Sequence, residues 1–334
     1  MESKKIRIEN APEIEGLIFR AFAGEEDYPK MAAIINKAAI ADKEDQYIQV
    51  SDIAHDYEHL TNSNPETDMI FAEVNGETVA YARLGWYQED NPNHRIYYHF
   101  AKVMPEWRNK GIERRIAVWC EKRLLEIAVE HPKDSQRFFQ TDSDKTKQPL
   151  NDLLESLGYK AIRYGFRMSR SLENIPEAEL PEGIEARPVK LEDTRKIWEA
   201  SVEAFRDHWG FAEPDEDEFE SYRTSKYFQP DLWQVAWDDD EVVSSVMNYI
   251  NHDENKKYNR KLGWTENIST HREYRRRGIA RALIVRSMQM HKALGMDRVA
   301  LGVDTENPNG ALQLYQSLGY QEEKTFITFR KVMD

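Results

Sequence analysis

The segment Thr270–Leu283, THREYRRRGIARAL, joins a strand pattern to a helix pattern and determines the fold prediction. The residues that lead into it, Gly263–Thr270, have the character of a β-strand. Apolar side chains at helical spacing follow it: Ile279, Leu283, Ile284 and Met288. The sequence therefore predicts a basic, glycine-containing turn between a strand and the N-terminus of a helix.

A turn of this kind has the features of an anion-binding site. Free backbone N–H groups of the first helical turn point outward, and the helix dipole adds partial positive charge. Gly278 permits a positive φ or a close approach of the main chain. Ala280 leaves room for a phosphate, and the run Arg275–Arg277 adds positive charge. A basic helix start exposed to solvent is the alternative interpretation.

A second pattern, at Ala300–Tyr320, predicts a strand, an Asn-Pro turn, a short helix ended by a glycine, and a further strand. The spacing Arg275-x-x-Gly278-x-Ala280 resembles the pyrophosphate-binding signature of the GNAT family of N-acetyltransferases. The later stretch resembles the C-terminal motif of that family, with Asn307 one residue further from Tyr315 than is common. The nucleotide P-loop and the dinucleotide fingerprint need glycines and a lysine that the first motif lacks.

The order of predicted elements occurs twice along the 334 residues. Residues 107–112 align with 274–279, and Ser156–Tyr159 aligns with Ser317–Tyr320. The fold class expected is α/β, with two tandem GNAT-type domains, each a mixed twisted sheet flanked by helices. The domains are predicted at residues 1–170 and 184–334, with a Pro- and Glu-rich linker at 171–183. The chain resembles the two-domain acetyltransferases of the mycothiol synthase type.

The two repeats differ at positions that matter for the predicted chemistry. Glu113 replaces the small Ala280, and a carboxylate there is larger and repels phosphate. Leu154 stands where the second repeat has Tyr315. We expect the first domain to be degenerate, either structural or completing the site, and the second to be catalytic. A working CoA site in the first domain is the alternative.

The resemblance implies that acetyl-CoA, as cosubstrate, is held by the second domain. It also implies that the fourth strand of that domain separates from the fifth and leaves a gap for the pantetheine arm. Whether Asn307 or Asn309 meets that arm is left open by the spacing. The residues expected to bind the cosubstrate are Ile268, Ser269, Thr270, Arg275, Arg276, Arg277, Gly278, Ile279, Ala280, Arg281, Asn307, Asn309, Ala311 and Tyr315.

Three residues are candidates for catalysis. Tyr315 matches the family tyrosine whose hydroxyl faces the CoA sulfur, and a phenol is able to protonate a thiolate. Glu266 is a candidate base, and its parity with Ile268 and Thr270 predicts that all three face one side of the strand. His208, in the segment Asp207–Gly210, is a candidate for assisting proton transfer. The alternatives are a core tyrosine, an exposed carboxylate and a hydrogen-bonded histidine.

The composition limits the possible classes of function. The net charge of −14 argues against duplex nucleic acid as a partner, and the absence of an apolar run of transmembrane length argues against a membrane span. The charged N-terminus has no apolar signal core, and the single Cys120 suits the cytoplasm. His55 and His59 have zinc-ligand spacing but lack an evident third ligand, so no metal is expected.

These patterns together predict an N-acetyltransferase that moves an acetyl group to a primary amine by direct attack, in the second domain. A small-molecule amine is the expected acceptor, because the other domain of a tandem protein is able to wall the cleft. The protein is expected to be a monomer or homodimer. A non-catalytic acyl-CoA-binding or scaffold protein is the alternative from another functional class.

Overall fold

The structure is a computed structural model that describes residues 4–333. Residues 1–3 and 334, which the sequence assigns to the ends of the two predicted domains, lie outside the described residues. Contacts divide the chain into two compact units. The first unit holds residues 93–162 together with the chain up to 89 and from 327 onward. The second unit holds residues 163–326 and the short segment 90–92.

The described elements alternate as the repeat predicts. The first half of the chain contains β1 (Lys5–Ile6), β2 (Leu17–Arg20), α1 (Tyr28–Ala41), α2 (Val50–Glu58), β3 (Met69–Val74), β4 (Glu77–Asp90), β5 (Asn93–Val103), α3 (Ile112–Val129), β6 (Gln136–Asp144), α4 (Gln148–Ser156) and β7 (Lys160–Ser171). The second half contains β8 (Glu185–Arg187), α5 (Thr194–Phe205), α6 (Glu216–Thr224), β9 (Gln234–Asp238), β10 (Glu241–Tyr249), α7 (His252–Lys257), β11 (Leu262–Thr270), α8 (Ile279–Ala293), β12 (Arg298–Asp304), α9 (Ala311–Ser317) and β13 (Gln321–Val332).

The first unit is built on a mixed sheet in the order β1-β2-β3-β4-β5-β6, with the last part of β13 beside β6. Strands β3 and β4 form a hairpin around Asn75 and Gly76, a dipeptide that favours tight hairpin turns, whereas β5 and β6 run parallel. Helix α3 contributes Ile116 and Leu124 to one core, and α1 contributes Met31 and Ile34 to another. The sheet is therefore covered by helices through two separate apolar clusters.

The second unit repeats this arrangement with a sheet in the order β7-β12-β11-β10-β9-β8. Helix α8 packs on one face through Leu283 and Met288, in the cluster that contains Val246 of β10. Helix α5 packs through Ile197 in the cluster that contains Met247. Because Val246 and Met247 are neighbours on a strand, their side chains point to opposite faces, and so do the two clusters. This mixed α/β architecture confirms the predicted fold class.

Strands β11 and β12 pair over three residues and then separate. Their parallel register runs from Leu262↔Arg298 to Trp264↔Ala300, although β11 continues to Thr270 and β12 to Asp304. Gly263 lies in the paired part, and a side chain is excluded there because an ideal Cβ would come 2.3 Å from Nδ1 of the buried His291 on α8. The structure thus contains the strand separation implied by the family resemblance.

The charged stretch His252–Lys257 forms helix α7. The helix begins after Asn251, whose side-chain oxygen accepts the N–H of Glu254 at 3.2 Å. This is an ordinary N-cap, and the Asn-x-x-Glu spacing signals it. Over residues 4–333, no helix combines the length and apolar character that crossing a membrane requires.

Candidate active site

A cavity of about 430 Å³ lies in the second unit, where β11 and β12 have separated and α8 begins. Almost every predicted site residue lines it. These are His208, Glu266, Ile268, Ser269, Thr270, Arg275, Arg276, Gly278, Ile279, Ala280, Arg281, Asn307, Asn309, Ala311 and Tyr315. Arg277 is not among the lining residues, and its guanidinium lies 5.1 Å from the ring centroid of Tyr274.

The basic turn has the backbone conformation that an anion site needs. Gly278 is the N-cap of α8 with φ 85°, and Arg276 also has a positive φ, of 64°. A Cβ on Gly278 would meet no heavy atom within 4 Å, so the positive φ, and not lack of space, accounts for the glycine. The N–H groups of the first α8 turn face the cavity without a carboxylate cap, because Ala280 carries none.

The side chain of Arg275 has a structural role that the sequence did not reveal. Its guanidinium forms an ion pair with Asp207 and donates hydrogen bonds to the carbonyls of Ala204 and Thr270, at 2.9 and 3.2 Å. It also donates to Oδ1 of Asn309 at 3.0 Å. The hydrogen bond from Arg275 lowers the pKa of Asp207. Arg275 therefore joins α5, β11 and the loop before α9, and its charge is locally balanced.

Both candidate asparagines line the cavity, but their oxygens are already engaged. Oδ1 of Asn307 accepts the backbone N–H of Asn309 at 2.9 Å, and Oδ1 of Asn309 accepts from Arg275. Each asparagine keeps its side-chain NH₂ group as a donor. The geometry therefore leaves both as candidates for donating to a carbonyl of the pantetheine arm.

Glu266 points across the gap between the separated strands. Its Oε1 accepts the backbone N–H of Gly302 on β12 at 3.1 Å. No cation among the described residues forms an ion pair with it. Burial raises its pKa to about 7, and the hydrogen bond from Gly302 opposes that rise. A carboxyl group with this pKa is well suited to accept a proton near neutral pH.

A β-bulge overturns the prediction that Glu266, Ile268 and Thr270 face one side. Asn267 has φ 46°, and the register with β10 shifts between the pairs Ser245↔Ser269 and Met247↔Glu266. The extra residue reverses the alternation, so Ile268 packs with the cluster of α8 while Glu266 shares a face with Met247. Strict period-two counting fails here because the strand contains one residue more than its partner.

Tyr315 of α9 is buried at the other side of the same cavity. Its ring meets that of Tyr320 edge-on, with centroids 6.1 Å apart. Burial raises the pKa of Tyr315, and the nearby carboxylate of Glu266 raises it further. The phenol is therefore protonated at neutral pH, and its pKa depends on whether the candidate base Glu266 is charged.

His208 reaches the cavity from the loop that follows α5. Its ring packs against Phe205 at 4.5 Å, and burial lowers its pKa although Asp207 opposes this. The loop is held by residues 90–92, which belong to the same unit: the N–H of Gly210 donates to the carbonyl of Asn91 at 2.9 Å. His208 is thus a neutral, positioned imidazole at neutral pH.

Other candidate groups lie elsewhere. Cys120 is buried in the core of the first unit, where burial raises the pKa of its thiol and disfavours the thiolate. The rings of His55 and His59 lie 5.0 Å apart. Within the described part of the chain, no three His, Cys, Asp or Glu side chains converge in the manner of a metal site.

The first unit contains the equivalent cavity, of about 660 Å³, with different chemistry. Its turn has the same backbone, with φ 59° at Asn109 and 88° at Gly111. Oε1 of Glu113 accepts the N–H of Asn109 at 2.9 Å, so the protein's own carboxylate occupies a donor of the turn. Leu154 lines this cavity in place of a tyrosine.

The candidate base is also missing from the first unit. His99 contacts the hydroxyl of Tyr159 at 2.9 Å, as Thr265 contacts that of Tyr320 at 3.1 Å in the second unit. His99 and Thr265 therefore occupy equivalent positions on β5 and β11. The residues that follow them, Phe100 and Glu266, are equivalent too. The described residues of β5 include none with a positive φ, so the strand lacks the kind of bulge seen at residue 267.

Known proteins with a similar sequence or fold include acetyltransferases, and the matches cover both repeats. The acetyltransferase (GNAT) family model matches residues 34–159 and 194–320. A GCN5-related N-acetyltransferase from Sphaerobacter thermophilus has 25% identity and a TM-score of 0.71, over 95% of both chains. A tandem GNAT protein from the clavulanic acid biosynthesis pathway has 12% identity and a TM-score of 0.64, over 95% of this chain and 98% of that one. No curated protein matches.

The two family matches fall one on each repeat, which confirms the predicted tandem arrangement. A putative acetyltransferase from Pyrococcus horikoshii shares the fold at 14% identity and a TM-score of 0.55, over 98% of this chain and 93% of that one. The finer resemblance to mycothiol synthase stays a prediction.

The raised pKa of Glu266 predicts a pH-dependent stability. Because the folded-state pKa exceeds the unfolded value of 4.5, the stability that protonation contributes is lost as the pH rises from 4.5 to about 7. We expect Glu266→Gln to be more stable than wild type at pH 8, by roughly 1 to 3 kcal/mol, and similar at pH 4.5. Urea unfolding at both pH values measures this. An equal effect of the substitution at both would contradict a raised pKa.

Proposed function

Because the chain belongs to the acetyltransferase (GNAT) family, with a family match on each repeat, we propose that its second unit transfers an acetyl group from acetyl-CoA to a primary amine. The observation that carries this proposal is Glu266, a carboxyl group with a pKa near 7 in a cavity that also contains Tyr315. The proposed acceptor is a small-molecule amine.

The residues of the second cavity suit acetyl-CoA. The uncapped N–H groups at the start of α8, with Arg276 beside them, favour a pyrophosphate. The backbone groups of β11 beyond Trp264 that face β12 are outside the strand ladder and are candidates for pairing with the pantetheine amides. When bound, acetyl-CoA supplies an acyl thioester whose carbonyl carbon is open to nucleophilic attack.

The protein's contribution is two proton transfers, one from the amine to the protein and one from the protein to the leaving sulfur. Glu266 accepts a proton from the amine as its nitrogen bonds to the acetyl carbon. Tyr315 donates a proton to the sulfur as the C–S bond breaks, and the products are an amide and a free thiol. The amine needs such help because an alkylammonium has a pKa of about 10. No acyl-enzyme is required, in keeping with the burial of Cys120.

The two catalytic candidates influence each other through their charges. The negative charge on Glu266 raises the pKa of Tyr315. Once Glu266 has taken a proton this repulsion disappears, so the phenol becomes a better acid at the stage when a thiolate forms. Burial lowers the pKa of His208, and we assign this cavity-lining imidazole a positioning role.

The first unit is proposed to be inactive in transfer. Glu113 covers its anion turn, while Phe100 and Leu154 stand at the positions of Glu266 and Tyr315. A scaffold protein that binds acyl-CoA without transferring the acyl group is the alternative. The half-buried Glu266, whose pKa is raised to about 7, favours an enzyme, because a binding module has no need of a carboxyl group that is costly to ionise.

Binding measurements test where the cosubstrate is held. We expect calorimetry to give one equivalent of acetyl-CoA, and Ala280→Glu to weaken binding by about a hundredfold, because the new carboxylate copies Glu113 and repels the pyrophosphate. Ala280→Gln, which has the same size without the charge, is the control and should lose less affinity. Undiminished binding to Ala280→Glu would move the site away from the second unit.

The reciprocal change tests the first unit. Removing the carboxylate in Glu113→Ala frees the N–H of Asn109, so we expect a second, weaker equivalent of CoA to bind. Glu113→Asp keeps the charge on a shorter side chain and is the matched control. Two equivalents bound by the wild type, or one by Glu113→Ala, would contradict the proposed inhibition by Glu113.

Kinetics test the two catalytic roles. We expect Tyr315→Phe to lower kcat by about a hundredfold with little change in acetyl-CoA affinity, because only the proton donor is lost. In the wild type, kcat/KM for the amine should rise with pH to a plateau above about 7, as Glu266 loses its proton. Unchanged turnover in Tyr315→Phe, or an inflection near pH 7 that survives Glu266→Gln, would refute the respective role.

A further inference from the structure

An aromatic surface extends along the sheet from Glu266, and the proposed mechanism does not use it. Trp264 lies two residues before Glu266 on β11 and faces the same side, whereas Thr265 points the other way to Tyr320. Tyr249 of β10 is the direct cross-strand partner of Trp264. The two rings are stacked, with centroids 5.9 Å apart and planes within 9°.

A third ring completes this surface. Tyr227 meets Tyr249 edge-on, with centroids 4.9 Å apart, and it is 36% exposed. Trp264 and Tyr249 are partly exposed, unlike the fully packed Trp233 in the neighbouring core. We call Tyr227, Tyr249 and Trp264 the aromatic wall. It offers flat apolar surface to a ligand, since rings of this kind stack readily on other planar groups.

The wall is electrostatically coupled to the candidate base. Burial raises the pKa of Tyr249, and the charge of Glu266 raises it further, which places the phenol and the carboxyl group within range of each other. Met247, the next residue of β10 on the same face, pairs directly with Glu266. The aromatic wall and the carboxyl group therefore lie side by side on one face of the sheet.

Two ion pairs lie close to the wall in the sequence. Asp253 lies 3.7 Å from the ammonium of Lys226, and Glu254 lies 2.7 Å from the guanidinium of Arg260. A polyamine would require an unpaired carboxylate for its second charge, and an amino acid would require a free cation for its carboxylate. The charges of these two pairs are mutually balanced, and the three rings beside Glu266 suit a ligand with one amine and an uncharged planar body.

We propose that the acceptor is a primary monoamine carried on an aromatic or similarly flat apolar body, which packs against the aromatic wall while its nitrogen reaches Glu266. This inference rests on the proposed function, because it assigns the acceptor side of the same site. The wall determines affinity for the body of the acceptor, and Glu266 acts on its nitrogen. Tyr227, Tyr249 and Trp264 are specificity-determining residues and take no part in proton transfer.

A comparison of four amines tests the inference. With saturating acetyl-CoA and the wild-type protein, kcat/KM for 2-phenylethylamine should exceed that for ethylamine by at least about tenfold, because the phenyl ring buries apolar surface. Spermidine and phenylalanine should be poorer substrates than 2-phenylethylamine. Equal rates for ethylamine and 2-phenylethylamine, or a preference for spermidine or phenylalanine, would overturn the inference while leaving acetyl transfer established.

Variants identify the surface responsible. Trp264→Leu and Tyr227→Leu should raise KM for 2-phenylethylamine by about fivefold or more, through lost ring contacts, and leave KM for ethylamine and for acetyl-CoA unchanged. Phe326→Leu removes an exposed ring of the same unit, 42% exposed, and is the matched control. If both wall variants behave like Phe326→Leu, the wall does not bind the acceptor and the inference fails.

A binding experiment separates this inference from the proposed function. Calorimetry of 2-phenylethylamine with CoA-saturated protein should show binding that Trp264→Leu weakens. Such binding without any turnover would support the acceptor surface and refute the acetyl transfer. Absence of binding together with absence of turnover would refute both, and turnover confined to non-aromatic amines would refute the aromatic wall alone.

Discussion

The separation of β11 from β12 beyond Trp264 and Ala300 is the constraint on which the candidate site depends. While two strands remain paired, their backbone groups satisfy one another and leave no room for a ligand. Once the strands part, the gap exposes polar main chain that needs partners, and the side chain of Glu266 supplies one for Gly302. The same gap is what brings the turn before α8, the bulge at Asn267 and Tyr315 onto one cavity.

The position of Glu266 in this gap explains its chemistry. Partial burial raises the pKa of this carboxyl group to about 7, because it has one N–H donor and no ion-pair partner among residues 4–333. Arg275 lines the same cavity, but its guanidinium is engaged by Asp207 and by backbone carbonyls. The positive charge of Arg275 is thus balanced by Asp207, and the pKa of Glu266 is determined by its burial and by the N–H of Gly302.

Much of the fold and of the site was predictable because local sequence signals determine it. The glycine turn, the Asn75–Gly76 hairpin and the repeated anchors each carry their own conformational preference. The bulge at Asn267 was not predictable, since it depends on the register with β10. The structural role of Arg275 and the aromatic wall were missed for the same reason: each joins residues that are distant in sequence, and no local pattern records such contacts.

The two units separate what the fold requires from what the chemistry requires. Both have the positive-φ turn, the strand separation and a tyrosine that anchors the last strand, so these features belong to the architecture. Only the second has Ala280, Glu266 and Tyr315. At the equivalent positions the first has Glu113, whose carboxylate accepts an N–H of its own turn, and the apolar Phe100 and Leu154. Because Phe100 and Leu154 avoid burying an ionisable group, their presence favours stability. Glu266 has the opposite effect, and the physical reason for retaining it is its capacity to exchange a proton near neutral pH.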